Sequence, residues 1–406
     1  MLNVGIDWGE TTPNEFAILT DEGEIVKTGA IERSVAGACE LVEQIKERQT
    51  DPDGVRIGID RKNDVLIDVL CSEGYEVFPL NPRSADRARE IYYAAGQKDD
   101  SADCQVHAHM VRTMWRNLRA VREDKEKNSQ IRCMLSHRNN LVDMRAQNRQ
   151  RLGSVLAEAS PVLSALCENF RLQWTKQLLR NWPLQQDFTG IHGNALNGFL
   201  DNHPRISEST RQRIRLAWQQ PAYVHPEQSA ECYRLQISNL MQTIDHLDER
   251  IQQVEEKISE LVEEHPDRDI FRSLPTTSET TIAALCTAFG PDRDEPEDWR
   301  HYSAYYGPSP ITEQSGNKKV VTMRRARDET IHKALLNLAD STRRKTDCWA
   351  HTYYQKKRSE GKSHYHTLRC LACRWVKILH AIWRNRSEYE EDYHQRRRRQ
   401  RKNVAA

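Results

Sequence analysis

The sequence predicts an α/β domain followed by a longer, mainly helical part. Two apolar runs end in the same triplet, Gly5-Ile-Asp7 and Gly58-Ile-Asp60. Apolar residues from Tyr233 to Leu261 recur at alternating spacings of four and three, and the Lys and Arg residues crowd toward the C-terminus.

The first half of this expectation rests on short apolar runs. Strands are predicted at 3–6, 16–20, 25–31 and 55–59, with an amphipathic helix at 36–48 before the fourth. A helix at 65–72 then leads to a fifth strand at 75–80. Three strands, a helix, a strand, a helix and a strand match the ribonuclease-H-like order. A further helix is expected to begin near Ser101 and run through His107, Val111 and Met114.

Beyond it the pattern is helical. Tyr233, Ile237, Leu240, Ile244, Leu247, Ile251, Val254, Ile258 and Leu261 form a heptad seam that needs a partner helix. That partner is either the stretch at about 129–170 of the same chain or the same segment of another protomer. Residues 181–228, rich in Asn, Gln, His and Pro, read as a connector holding short helices. The last domain, from about Ile270, holds a loop around Ser315 between helical patterns at 281–289 and 331–342. The expected divisions are 1–120, 121–265, 266–395 and a basic tail, 396–406.

Composition bounds the function. A chain of 406 residues exceeds one ordinary core, and 29% charged against 38% hydrophobic residues suits a protein with many surface helices. No apolar run reaches the roughly twenty residues that span a bilayer, and Met1-Leu-Asn-Val lacks the basic start of a signal peptide. A cytoplasmic protein with no membrane partner is expected. The net charge of +1 conceals an asymmetry: from Lys318 onward 24 Lys and Arg face 9 Asp and Glu, so the rest of the chain carries −14. The C-terminal part is therefore a polyanion-binding candidate. Its tail, Arg396, Arg397, Arg398, Arg399, Arg401 and Lys402, reads as an arm that touches phosphates without reading bases.

Ten cysteines are scattered, most inside apolar helical patterns, which predicts reduced buried thiols. Cys370 and Cys373, with His364 and His366 just before, suggest zinc. The spacing also suits one helix face, and no second Cys-x-x-Cys completes a four-ligand site, so a core role is preferred. His107 and His109 are read as neighbours of the acids rather than ligands, and the C-terminal aromatics mainly as core or Arg-covered surface.

The acids carry the chemistry. Asp7 and Asp60 end two strands of one sheet, and in Lys98-Asp-Asp-Ser-Ala-Asp103 the carboxylates of Asp100 and Asp103 are three apart, on one helix face. Four converging carboxylates repel one another unless cations sit between them. Hard oxygen donors suit Mg²⁺, and paired metals assist in-line phosphoryl displacement. Downstream, Ser315-Gly316 is followed by Lys318, Lys319, Arg324, Arg325 and Arg327. Alone it would be an ordinary turn; with a phosphodiester-type metal site upstream it is a candidate nucleophile.

These motifs, in this order, resemble the DEDD-type insertion-sequence transposases with a RuvC-like N-terminal domain, the IS-one-ten family of bridge-RNA-guided recombinases. The resemblance covers most of the chain: Gly5-Ile-Asp7, Asn81-Pro82 after an apolar strand, Lys98-x-Asp100-x-x-Asp103, the helical middle, and Gly307 to Ser315-Gly316. It implies a RuvC-like domain, a coiled-coil region and a mainly helical transposase domain. It implies too that Asp7, Asp60, Asp100 and Asp103 bind metal and that Ser315 attacks DNA. The implied partners are donor and target DNA, a structured bridge RNA, and further copies of the chain as a dimer or tetramer sharing a composite site. Three positions depart from the family pattern: Asp60 stands where glutamate is usual, Thr276 and Ser278 replace glycines, and Arg327 falls where glycine is common. The competing function is a metal-dependent nuclease or junction resolvase in which water attacks.

Overall fold

A run buried on both faces makes β1 (Leu2–Asp7) the central strand of a five-stranded sheet. β2 (Asn14–Thr20) pairs antiparallel with β1, and β3 (Ile25–Ile31) antiparallel with β2. On the other side β4 (Val55–Ile59) and β5 (Glu76–Pro79) run parallel to β1, giving the order β3-β2-β1-β4-β5. The computed structural model describes residues 1–9, 14–61, 64–92, 100–118, 120–121, 126–289, 298–316 and 318–393. These fall in two units, Met1–Glu123 and Asp124–Ala406.

One sheet face is covered by α1 (Val35–Lys46) and α2 (Val65–Ser72), which bury Val4, Ile6, Ile57 and Ile59. Both helices start on capping side chains: Ser34 accepts from the Gly37 amide at 3.1 Å and Asp64 from the Leu66 amide at 3.2 Å. On the other side lie α3 (Pro82–Tyr92) and α4 (Asp100–Met114). α4 rests directly on β1 and β4 because Gly5 and Gly58, register partners, present no side chain there. A Cβ on Gly5 would lie 1.9 Å from the Cys104 carbonyl oxygen, and one on Gly58 2.9 Å from that of His107.

The second unit is built on two long helices, α5 (Glu126–Ala159) and, further along the chain, α11 (Glu227–Glu263). Ion pairs Arg138–Glu255 and Arg145–Asp248 fix them as antiparallel neighbours, so the same-chain helix is a partner of the heptad seam. The buried side of α11, seam residues and their neighbours Met241 and Val262, meets three surroundings in turn. Ile237, Met241 and Ile244 pack into a lobe made of α6 (Pro161–Leu166), α7 (Gln173–Asn181), α8 (Gln185–Thr189), α9 (Gly193–Asp201) and α10 (Glu208–Gln219). Leu247 and Ile251 meet Leu141 on α5. Ile258 and Val262 join the core of the C-terminal helices.

Those helices are α12 (Arg268–Arg272), α13 (Glu279–Cys286), α14 (Trp299–Tyr305), α15 (Glu329–Thr342), α16 (Trp349–Ser359) and α17 (His364–Asn385). Trp375 and Trp383 of α17 are fully buried among them, and the Trp375 indole N–H donates to Thr342 Oγ1 at 3.1 Å. Truncating an aromatic side chain in such a place costs about 3–5 kcal/mol. Between α14 and α15 the expected loop is instead a two-stranded hairpin, β6 (Ile311–Ser315) and β7 (Lys318–Thr322). No helix among the described residues is long and apolar enough to cross a membrane.

Candidate active site

Register alone brings two of the acids together. Ile6 faces Ile59 across the parallel β1–β4 pair, so Asp7 and Asp60 follow at adjacent strand ends, both half-buried. The Trp8 amide donates to Asp60 Oδ1 at 3.4 Å, and Arg61 Nε donates to the Trp8 carbonyl oxygen at 3.0 Å, tying the two ends to each other. Asp64, also near this edge, caps α2 and pairs with Arg33 at 3.3 Å.

α4 starts at Asp100, so Asp100 and Asp103 both belong to its first turn. The Asp100 side chain lies outside the described residues. Asp103 is held by Arg89 of α3, whose Nη2 and Nε approach Oδ1 at 2.5 and 2.6 Å. Arg89 escaped sequence reading because nothing in the local spacing pairs α3 with α4. Glu15 escaped it as well. It faces Asp7 across the antiparallel β1–β2 pair and so shares its sheet face, a position visible only once that register is known. Burial pushes the Cys104 thiol up to about 12, helped by the charges of Glu15 and then Asp7, the acids of the sheet face that α4 covers.

Donor chemistry favours a hard cation. The acids at this edge offer oxygen only, Cys104 keeps its proton, and burial lowers the pKa of His107, whose Nδ1 is engaged with the Ile6 carbonyl oxygen at 2.8 Å. Among the described residues no three His, Cys, Asp or Glu side chains close on a common point.

Ser315 ends β6 opposite Lys318, with Gly316 turning the chain at φ +54°, a left-handed conformation that suits glycine. Every described residue of the hairpin from Thr312 to Thr322 is exposed, Lys318 and Lys319 included. Arg325 is exposed and Arg324 half-buried. Arg327 does something else: its Nε pairs with Glu329 at 2.9 Å and its Nη1 donates to the Arg324 carbonyl oxygen at 3.0 Å, bracing the strand exit. Arg396, Arg397, Arg398 and Arg399 lie outside the described residues. Cys370 and Cys373 sit half-buried on α17, where Cys373 Sγ lies 3.3 Å from Ser303 Oγ.

Under the hairpin's base, buried His332 has its Nδ1 2.8 Å from the Tyr306 carbonyl oxygen, and burial holds it below its ordinary value of 6.5. The folded chain therefore binds this proton less readily than the unfolded chain. The stability contributed by neutral His332 is complete above about pH 6.5 and drains away as pH falls below it. A thermal midpoint that declines from pH 7.5 to 5.5, and declines less in His332→Gln, is the expected result.

Comparison with known proteins matches both ends of the chain. Residues 4–161 match a transposase family of DEDD type from IS110 elements, and residues 268–355 match the transposase IS116/IS110/IS902 family. The chain is 25% identical over 391 residues, 94% of each chain, to the insertion element IS116 uncharacterized 44.8 kDa protein of Streptomyces clavuligerus. It is 24% identical over 332 residues to the insertion element IS900 uncharacterized 42 kDa protein of Mycobacterium paratuberculosis, covering 80% of this chain and 81% of the other. The insertion element IS110 uncharacterized 43.6 kDa protein of Streptomyces coelicolor is 23% identical over 315 residues, 76% of each.

Proposed function

This chain belongs to the IS110 family of transposases, enzymes that act on DNA, and from that premise we propose that it cuts and rejoins DNA strands through a covalent phosphoserine link. The metal-dependent part of this reading is carried by the pair of in-register Gly-Ile-Asp strand ends on the sheet face that α4 covers, and the serine part by exposed Ser315 held opposite Lys318. Asp7, Asp60, Asp100 and Asp103 would hold Mg²⁺, with Glu15, which shares the sheet face of Asp7, as a fifth acid. Bound there, the cation supplies charge neutralisation at a phosphoryl oxygen. The strand order of the sheet supports the RuvC-like assignment.

The protein's own part is positioning and attack. Ser315 Oγ bonds to phosphorus as its proton departs, the bond from phosphorus to a deoxyribose oxygen breaks, and that oxygen takes up a proton. The hydroxyl of a second DNA strand then attacks the phosphoserine and releases Ser315 unchanged, so no net hydrolysis occurs. Lys318, Lys319 and Arg325, with the basic tail, contact backbone phosphates. A homo-oligomer guided by a structured bridge RNA would bring donor and target strands together.

The acids are tested by Mn²⁺ titration followed by electron paramagnetic resonance, beside a strand-cleavage assay. Asp7→Asn is expected to lose the bound-ion signal and cleavage while keeping its fold, and Glu15→Gln to weaken ion binding about tenfold. Full cleavage by Asp7→Asn in the presence of EDTA would contradict the metal assignment.

A further inference from the structure

Residues 162–267 lie between the two matched family regions, and where this stretch meets α5 the surface is concave and basic. The hollow, of about 390 Å³, is lined by Arg145, Arg149 and Gln150 of α5 and by Glu168, Phe170 and Arg171 from the turn before α7. Helical spacing puts Arg145 and Arg149 on one face. The turn is held by Asn169, whose Oδ1 accepts from the Arg171 amide at 3.0 Å.

Cations outnumber their partners here. Asp248 alone receives Lys176 at 2.8 Å, Arg145 at 2.7 Å and Arg149 at 3.4 Å, and Lys176 is shared with Asp245. Arg149 Nε is buried with no partner. Burial and repulsion from Arg145, with a smaller push from Arg171, lower the Arg149 pKa despite Asp248. Because a guanidinium keeps its proton in proteins, the want is for an anion rather than deprotonation. The planar forks of arginine match a phosphate, and Phe170, packed on one side against the lobe's core, lines the hollow as the one aromatic ring there against which a base could stack.

We propose that this hollow binds an unpaired nucleotide, with its phosphate between Arg145, Arg149 and Arg171 and its base against Phe170. The choice of a nucleic-acid ligand rests on the transposase reading; the pocket does not depend on the role given to Ser315. A paired base would be stacked in its helix and unable to reach the ring.

The test uses the full chain and three fluorescent probes: an unstructured 12-nucleotide RNA with 4-thiouridine, its DNA counterpart with 4-thiothymidine, and the duplex of that DNA. Ultraviolet crosslinks from a single-stranded probe are expected on the peptide containing Phe170, and whichever of RNA or DNA crosslinks names the source. Arg171→Glu, at an exposed position, and Arg149→Gln are expected to weaken single-strand binding about tenfold each, with a salt slope shallower by about 0.7 for each phosphate no longer neutralised. Ser315→Ala should crosslink like the parent, so failure of the serine chemistry and failure of the pocket are separately visible. Crosslinks from the duplex alone, no crosslink at 168–171, or a folded Arg171→Glu with unchanged affinity and salt slope would overturn the proposal.

Discussion

Ser315→Ala is expected to abolish strand joining, lowering it by at least about 10⁴-fold, while leaving DNA binding within about twofold of the parent. The asymmetry follows from where the residue sits. Ser315 ends an exposed strand beside Gly316, whose φ of +54° and open surroundings place no demand on the serine hydroxyl for folding. Removing one exposed hydroxyl changes stability by less than about 0.5 kcal/mol. Lys318 and Lys319, to which the phosphate contacts are assigned, stay in place. Gel-shift titration and a joining assay on the same preparation separate the two effects. Cleavage at the parental rate by Ser315→Ala would instead identify water as the nucleophile and the protein as a metal nuclease.

Gly5→Ala should also lower activity, less steeply and by a different route. The added Cβ would stand 1.9 Å from the Cys104 carbonyl oxygen and 2.3 Å from the Ala108 amide nitrogen, both backbone atoms of α4. Neither can rotate away, so α4 must lift by about 1 Å or more, at a cost of about 3 kcal/mol. Asp103, a metal ligand in the proposed site, would lift with it, and a displacement of that size at a reacting centre costs about 10²-fold in rate. Amide exchange of β1 and β4 is expected to accelerate and Mn²⁺ affinity to fall. Gly198→Ala is the control. In α9 the new methyl would meet nothing within 4 Å, and a stabilisation of about 0.5–1 kcal/mol is expected from the stiffer unfolded chain.

Those same glycines explain why much of the N-terminal unit could be read from the chain. Gly-Ile-Asp occurs twice, each time closing a short apolar run, and that signalled a strand with an acid at its end; that the glycine also gives a helix a flat place to lie on emerged only from the packing of α4. What register adds was not legible. Glu15 stands just before the apolar run that predicts the second strand and gains meaning only by facing Asp7. Arg89 reads as one charge on an amphipathic helix until α3 and α4 are side by side. The heptad seam was legible as a seam, but its spacing is the same whether the neighbour is a helix, the α6–α10 lobe or the C-terminal core.

The β6–β7 hairpin was missed for a physical reason. Ile311-Thr-Glu-Gln-Ser315 and Lys318-Lys-Val-Val-Thr322 are nearly all exposed, so neither strand carries the apolar alternation that marks a half-buried one. The remaining signal was the two-residue Gly316-Asn317 link between two β-prone runs, which is a hairpin turn sequence. Strand geometry there holds Ser315 beside Lys318, a more definite placement than a loop would give.

A covalent bond between Ser315 and DNA is the step on which the proposed chemistry turns, and one measurement addresses it directly. The full chain is incubated with Mg²⁺, cleavable substrate DNA and the structured RNA proposed to guide it, then denatured, digested and analysed by mass spectrometry. A nucleotide adduct is expected on the peptide containing Ser315, absent from Ser315→Ala and from EDTA-treated samples. Cleaved DNA with two free ends and no adduct on any peptide would contradict it.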